Sequence, residues 1–172
     1  MKMMSTGLAA VALALTAVPA TATELKPLDA DHFSLMMPGS PERRSNEVAV
    51  REGTIATQSW TISDDESVLY SISTADFPQK MIDKSTPTKF LDDARNGLRD
   101  QLKGTVKDDQ EISLAGNPGR EFMVVSDNGE LKARAYFVEG RLYTLLVLYN
   151  PSIGAPQRDA FLGSLKLKKA AR

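Results

Sequence analysis

The sequence predicts an α+β domain, an antiparallel β-sheet flanked by helices. Three observations carry this. The stretch from Asn117 to Tyr149 breaks into three strand-like runs at two short turns. Its last run, Leu142 to Tyr149, is apolar on both parities, as a central strand covered on both faces would be. One strongly amphipathic helical pattern, Thr86 to Gly104, sits between strand-rich halves, an order that suits helices packed on an antiparallel sheet.

The elements follow in chain order. Met1-Lys2, the apolar run Gly7 to Val18 and Ala20-Thr21-Ala22 have the layout of a secretory signal peptide with an A-x-A cleavage site. Its apolar core is too short for a transmembrane helix. Residues 1–22 are therefore expected to be removed, leaving residues 23–172 as a single domain in the periplasm or outside the cell. Thr23 to Asp31 is expected to be an extended lead-in. His32 to Met37 has strand character, with Phe33, Leu35 and Met37 on one parity, and stops at Pro38-Gly39-Ser40-Pro41. Glu42 to Glu47 is polar and expected to be exposed. Val48 to Ile62 suits one bent strand or two joined at Gly53. After the polar turn Ser63 to Glu66, Val68 to Phe77 completes a hairpin, with Val68, Tyr70 and Ile72 on one face.

Phe77 to Pro87 is expected to be a loop. In the helix, Thr86 suits the N-cap and Pro87 the first turn. Phe90, Leu91, Ala94, Leu98 and Leu102 share a face, and Gly104 suits the residue that ends the helix. A strand from Glu111 to Leu114 leads to Asn117-Pro118-Gly119-Arg120, which fits a type II turn. Asp127-Asn128-Gly129-Glu130 fits a type I′ hairpin turn. Leu131 to Val138 alternates, with Leu131, Ala133, Ala135 and Phe137 against Lys132, Arg134 and Tyr136, and Glu139-Gly140 is a second tight turn. Gln157 to Ser164 suits a short helix presenting Ala160, Phe161 and Leu165. Lys166 to Arg172 is expected to be a frayed basic tail.

Composition excludes several functions. There are 21 Lys and Arg residues, Lys2 among them, against 22 Asp and Glu. The processed chain is thus mildly acidic, with no basic footprint for nucleic acid. The chain has no cysteine, which removes disulfides, thiolate chemistry and cysteine-ligated metals. No phosphate-binding loop or nucleophile elbow occurs, and no cofactor is implied.

Two groups of residues are candidates for function. Arg120, Arg134, Tyr136, Arg141 and Tyr143 lie on adjacent predicted strands and suit a patch for a protein partner or an anionic ligand. The alternative is that the arginines pair with Glu121, Glu130 or Glu139 while the tyrosines fill the core. Asp29, Asp31 and His32 form an Asp-x-Asp-His cluster. They offer three ligands to a divalent ion, or a general base in His32, the only histidine. Asp64-Asp65-Glu66 and Asp108-Asp109 with Glu111 are acidic clusters that lack EF-hand spacing. Trp60, the only tryptophan, is expected to anchor the core.

A family resemblance rests on ordered signposts. These are Phe33-Ser34 before Pro38-Gly39-x-Pro41, and Tyr70-Ser71-x-Ser73 before Phe77-Pro78. Gly116-Asn117-Pro118-Gly119-Arg120-Glu121-Phe122 follows, then Arg134-x-Tyr136, Arg141-Leu142-Tyr143 and Phe161-Leu162-x-Ser164-Leu165. In this order, over Asp31 to Lys168, the chain resembles small exported bacterial domains similar to the PsbP-like α/β/α sandwich. That family is named for an extrinsic protein of the photosystem oxygen-evolving complex. The resemblance implies a non-catalytic accessory or binding domain with a protein partner or small ligand and no transmembrane anchor. It transfers no metal ligands to this sequence. An enzyme working through His32 and nearby carboxylates, and a structural envelope component, are the alternative readings.

Overall fold

A computed structural model of the protein describes residues 24–64 and 67–168. The leader expected at residues 1–22, two residues of the Ser63 to Glu66 turn, and the last residues of the basic tail lie outside these ranges. Seven antiparallel strands form the main sheet. They are β3 (Glu42–Val50), β4 (Gly53–Asp64), β5 (Val68–Asp76), β6 (Thr105–Leu114), β7 (Asn117–Ser126), β8 (Gly129–Val138) and β9 (Arg141–Tyr149), in the spatial order β3-β4-β5-β9-β8-β7-β6. A second, three-stranded sheet joins both ends of the described chain. Its centre is β2 (Phe33–Met37), paired with β1 (Lys26–Asp29) on one side and β10 (Lys166–Leu167) on the other. The helices are α1 (Gln79–Ile82), α2 (Pro87–Leu102) and α3 (Arg158–Leu162).

β9 is the middle strand of the main sheet, as its two-sided apolar pattern predicts. Tyr143, Leu145, Val147 and Tyr149 face one layer, joining Phe33, Leu35 and Met37 of β2, Tyr70 and Ile72 of β5, and Phe161 and Leu162 of α3. Leu142, Leu146 and Leu148 face the other, where α2 packs Phe90, Leu91, Leu98 and Leu102 on the sheet. The main sheet is flanked by helices on both faces, as expected, and one of those layers also holds the small sheet. One is α2; the other is the small sheet with α3. The extended lead-in is part of that layer, because Lys26–Asp29 pairs with β2, and the first tail residues, Lys166 and Leu167, are its third strand. On α3 it is Leu162, not Ala160, that joins Phe161 in the core.

α2 begins as expected: Thr86 accepts a hydrogen bond from the Lys89 N–H at 3.3 Å, and Pro87 opens the helix. Its end differs. Lys103, not Gly104, takes the left-handed conformation (φ 52°). Gly104 is needed for a different reason. A Cβ there would meet Val124 at 2.6 Å and the Val125 carbonyl oxygen at 2.7 Å, so its absence lets the chain pass close over β7. Gly97, by contrast, has open space around it on the exposed face of α2. Gly97→Ala is expected to stabilise the protein by about 0.5 to 1 kcal/mol through the entropy of the unfolded backbone, read as a higher urea midpoint.

The strand boundaries also depart from expectation. The polar run Glu42 to Glu47 is exposed, as expected, and forms the first two thirds of β3. The Val48 to Ile62 run is two strands joined by Arg51-Glu52, with Val50 opposite Gly53. β6 begins at Thr105, well before Glu111, and bulges between Lys107 and Gln110. The loop expected at Phe77 to Pro87 contains α1. The predicted type II turn at Asn117 to Arg120 is not there. Those residues lie in β7, and the turn is Ala115-Gly116, both with positive φ. At the next hairpin the turn residues are Asp127-Asn128, and Gly129, with positive φ, already pairs with Ser126. Glu139-Gly140 is a tight turn with both φ values positive, as expected.

Candidate binding site

The five Arg and Tyr candidates do not form one surface. Tyr136 and Tyr143 are buried in the core between the main and small sheets. Tyr143 stacks edge-on against Phe33, ring centroids 6.0 Å apart. Burial pushes the Tyr136 phenol above its ordinary pKa. The two tyrosines thus fill the layer, and three arginines serve as ties within the fold.

Arg120 is on the α2 side. The bulge in β6, where Asp108 takes φ 51°, carries Asp109 to within 2.8 Å of the Arg120 guanidinium. Asp109 also holds Arg95 of α2 at 2.5 Å. Asp92 Oδ1 is 3.0 Å from Arg120, close enough for charge attraction yet not aligned as a hydrogen bond, and Arg120 Nε has no hydrogen bond among the described residues. Asp109 thus helps clamp α2 to the sheet edge.

Arg134 lies on the opposite face. It donates to Glu121 Oε2 at 2.5 Å and to the Leu162 carbonyl of α3 at 3.3 Å. Lys132 Nζ (3.4 Å) and Gln110 Nε2 (3.0 Å) complete the surroundings of Glu121. Burial alone would raise the Glu121 pKa. The hydrogen bond and charge of Arg134, with Lys132 and Gln110, outweigh it and hold the carboxyl below the ordinary glutamate range. A depressed folded-state pKa means stability that is full above the unfolded value, about 4.3, and lost as pH falls through the folded one. Glu121→Gln is therefore expected to cost about 1 to 3 kcal/mol at pH 7. The gap to the parent should narrow as pH drops below the ordinary glutamate range. Urea midpoints at pH 7 and pH 3 check this; an unchanged gap would refute it.

Arg141 marks a different place, one end of the sheet. It opens β9 directly opposite Asp76, which closes β5, and grips that carboxylate with two nitrogens. Burial opposes its charge, but hydrogen bonds to Asp76 and Tyr143 leave its pKa raised. β2 starts beside this pair. An open polar recess of about 90 Å³ lies between Asp31, His32, Gln58, Trp60, Thr74, Asp76 and Arg141. A second, of about 200 Å³, adjoins it across His32, Asp76 and Arg141, and is walled by Glu139, Leu167 and Lys168. Trp60, buried and edge-on to Phe33 at 5.1 Å, forms part of the floor. The Arg43 guanidinium sits 5.4 Å over its ring and donates to Gln58 at 3.1 Å.

The structure thus joins members of both candidate groups in one cleft, Arg141 and Tyr143 of the first with Asp31 and His32 of the second. It separates Asp29, whose carboxylate pairs with Lys168 at 2.7 Å. Among the described residues no three His, Asp or Glu side chains converge as a metal ion would require. Asp76, Arg43 and Gln58 escaped the sequence reading. Asp76 is 65 positions from Arg141, and only knowledge that β5 pairs with β9 would have joined them.

The solution structure of cyanobacterial PsbP (CyanoP) from Synechocystis sp. PCC 6803 matches this architecture. The match has a TM-score of 0.57 and covers 87% of this chain and 96% of that one, at 11% sequence identity. The fold is that of PsbP. No family model matches the sequence, and no curated protein matches it. The PsbP-like fold inferred from the turn and core signposts is therefore the observed one. At 11% identity the likeness carries the fold and no site. The cleft at the Arg141 end of this PsbP-like domain has to be argued from its own residues. No helix among the described residues is long and apolar enough to cross a membrane.

Proposed function

We propose that this protein is a non-catalytic accessory domain, working outside the cytoplasm once residues 1–22 are removed, that docks a protein partner at the Arg141 cleft. The observation that carries the reading is the make-up of the cleft. An exposed imidazole, a bidentate Arg–Asp pair and an Arg-capped tryptophan border two shallow, open recesses of about 90 and 200 Å³. Sites that enclose a small molecule hold about 300 to 1,000 Å³ and bury most of their ligand. These recesses suit the side chains of a protruding turn on a partner instead. Arginine and histidine at the rim supply planar hydrogen bonding, and the tryptophan in the floor supplies ring contact, as hot spots use. The PsbP-like fold, whose namesake is an extrinsic protein of a larger complex, supports an accessory role.

The test places a photo-crosslinking residue at His32 and, separately, at Asp100 on the exposed face of α2, in the native envelope. A discrete adduct from position 32 and none from position 100 is expected. Identical adduct patterns from the two positions would remove the cleft as the docking site.

A further inference from the structure

The main sheet has two edges, and they are built differently. At the β6 edge the register breaks between Lys107 and Gln110, Asp108 takes a left-handed φ, and the bulge turns the strand away from regular pairing. At the β3 edge, nine residues pair with β4 without a break, from Glu42↔Thr61 to Val50↔Gly53. Neither covering layer reaches β3. α2 lies over β7, β8 and β9, and the core under the small sheet and α3 takes in residues of β4, β5, β6, β8 and β9 but none of β3, so eight of the nine β3 residues are exposed. Val48 among them is 44% exposed. A regular, two-sided exposed edge is a template for another strand.

Its sequence selects the strand. A two-residue hairpin closes on a hydrogen-bonded pair, here Val50 and Gly53, so the even-numbered residues of β3 turn their N–H and C=O toward β4. The Asn46 carbonyl, which also accepts the Thr57 hydroxyl at 3.1 Å, faces that way. Arg43, Ser45, Glu47 and Ala49 are left with backbone groups pointing outward. Antiparallel self-pairing about a two-fold axis allows few registers. Centring on Arg43, Arg44 or Glu47 puts like charges opposite each other, and centring on Asn46 makes no ion pair. Centring on Ser45 sets Arg43 opposite Glu47 of the other copy twice, once in each direction, among outward-facing residues. Glu47 makes no ion pair with any described residue in the single chain.

We propose that β3 pairs antiparallel with β3 of a second copy about Ser45, joining two main sheets into one continuous sheet. A strand pair of this length is a small interface, so the dimer is a weak and reversible one. The partner of stated chemistry is this chain itself, and the surface meets the Arg141 cleft only at Arg43, which caps Trp60 there.

Sedimentation equilibrium of the purified protein tests it. The weight-average mass should rise toward twice that of one chain above about 100 µM. Ser45→Pro removes an outward N–H that the single chain does not use, so it should melt like the parent and stay monomeric. Arg43→Glu and Glu47→Arg each place like charges in both cross-strand positions. Each alone should raise the dissociation constant about tenfold or more. An equimolar mixture of the two restores both ion pairs and should recover the heterodimer at the parent's affinity. A parent that is monomeric at about 1 mM would overturn the proposal. So would single variants that dimerise as the parent does, or a mixture that does not recover. Thermal melts of each variant alone separate loss of pairing from loss of fold.

Discussion

Phe33→Ala is expected to cost about 3 to 5 kcal/mol, the largest single loss in the molecule. Phe33 is 1% exposed and holds two layers together. From β2 it stands edge-on to Trp60 of β4 at 5.1 Å and to Tyr143 of β9 at 6.0 Å. Removing the ring opens a void between sheets that are each locked by their own hydrogen bonds, so the gap cannot close by side-chain movement alone. A domain of this size has about 5 to 15 kcal/mol in total. The variant should therefore sit close to its unfolding threshold at 37 °C. Urea unfolding followed through Trp60 fluorescence measures both the midpoint and the lost ring contact. A shift worth under about 1 kcal/mol would mean that the small sheet is not held through Phe33.

Gly119→Ala is the second large effect, at about 1 to 3 kcal/mol or more. A Cβ at Gly119 would lie 2.4 Å from Cδ1 of Tyr136 and 2.8 Å from the Ala135 carbonyl oxygen. The Tyr136 ring rests on the bare glycine across the β7–β8 pair, whose register puts the two residues opposite each other. The cost is thus one of contact, not of backbone conformation, and it has a signature. Combined with Tyr136→Ala, the same glycine substitution should cost markedly less, leaving the carbonyl contact. A turn glycine would show the same penalty whatever stood at 136. The double-mutant cycle therefore separates the two, with a coupling of about 1 kcal/mol or more expected.

Gly119 also shows why part of the fold was legible and part was not. Pro-Gly after Asn carries strong turn chemistry, and local propensity alone puts a turn there. The chain turns three residues earlier, at Ala115-Gly116, and Ile112 and Leu114 of β6 face the small-sheet core. The strands whose pattern depends on burial were clear: β2, β5 and β8 carry an apolar residue at every second position, and β9 is apolar on both parities, because one or both faces are covered. β3 was not, because ERRSNEVAV has no buried face to write a pattern on. The helix was clear for the same reason as β8, a single apolar stripe. Of the candidate site, Arg141 and His32 stood out as residue types. Asp76, Arg43 and Gln58 did not, since their place follows from strand order, which no local pattern encodes. Arg120 and Arg134 were visible as arginines, but the carboxylates they engage, Asp92, Asp109 and Glu121, were matched only in part.

The small sheet has a consequence for the timing of folding. Its middle strand comes from the start of the described chain and its third strand from the end, with α3 just before that end. The roof over Tyr70, Ile72, Leu145 and Val147 is therefore complete only when α3 and β10 are present beside β2. A nascent chain leaving the ribosome amino-terminus first has nearly all of the described residues in hand before that roof can close. Until α3 and β10 appear it keeps part of one apolar face of the sheet open. Synthesis and completion of the core are thereby separate events in this chain.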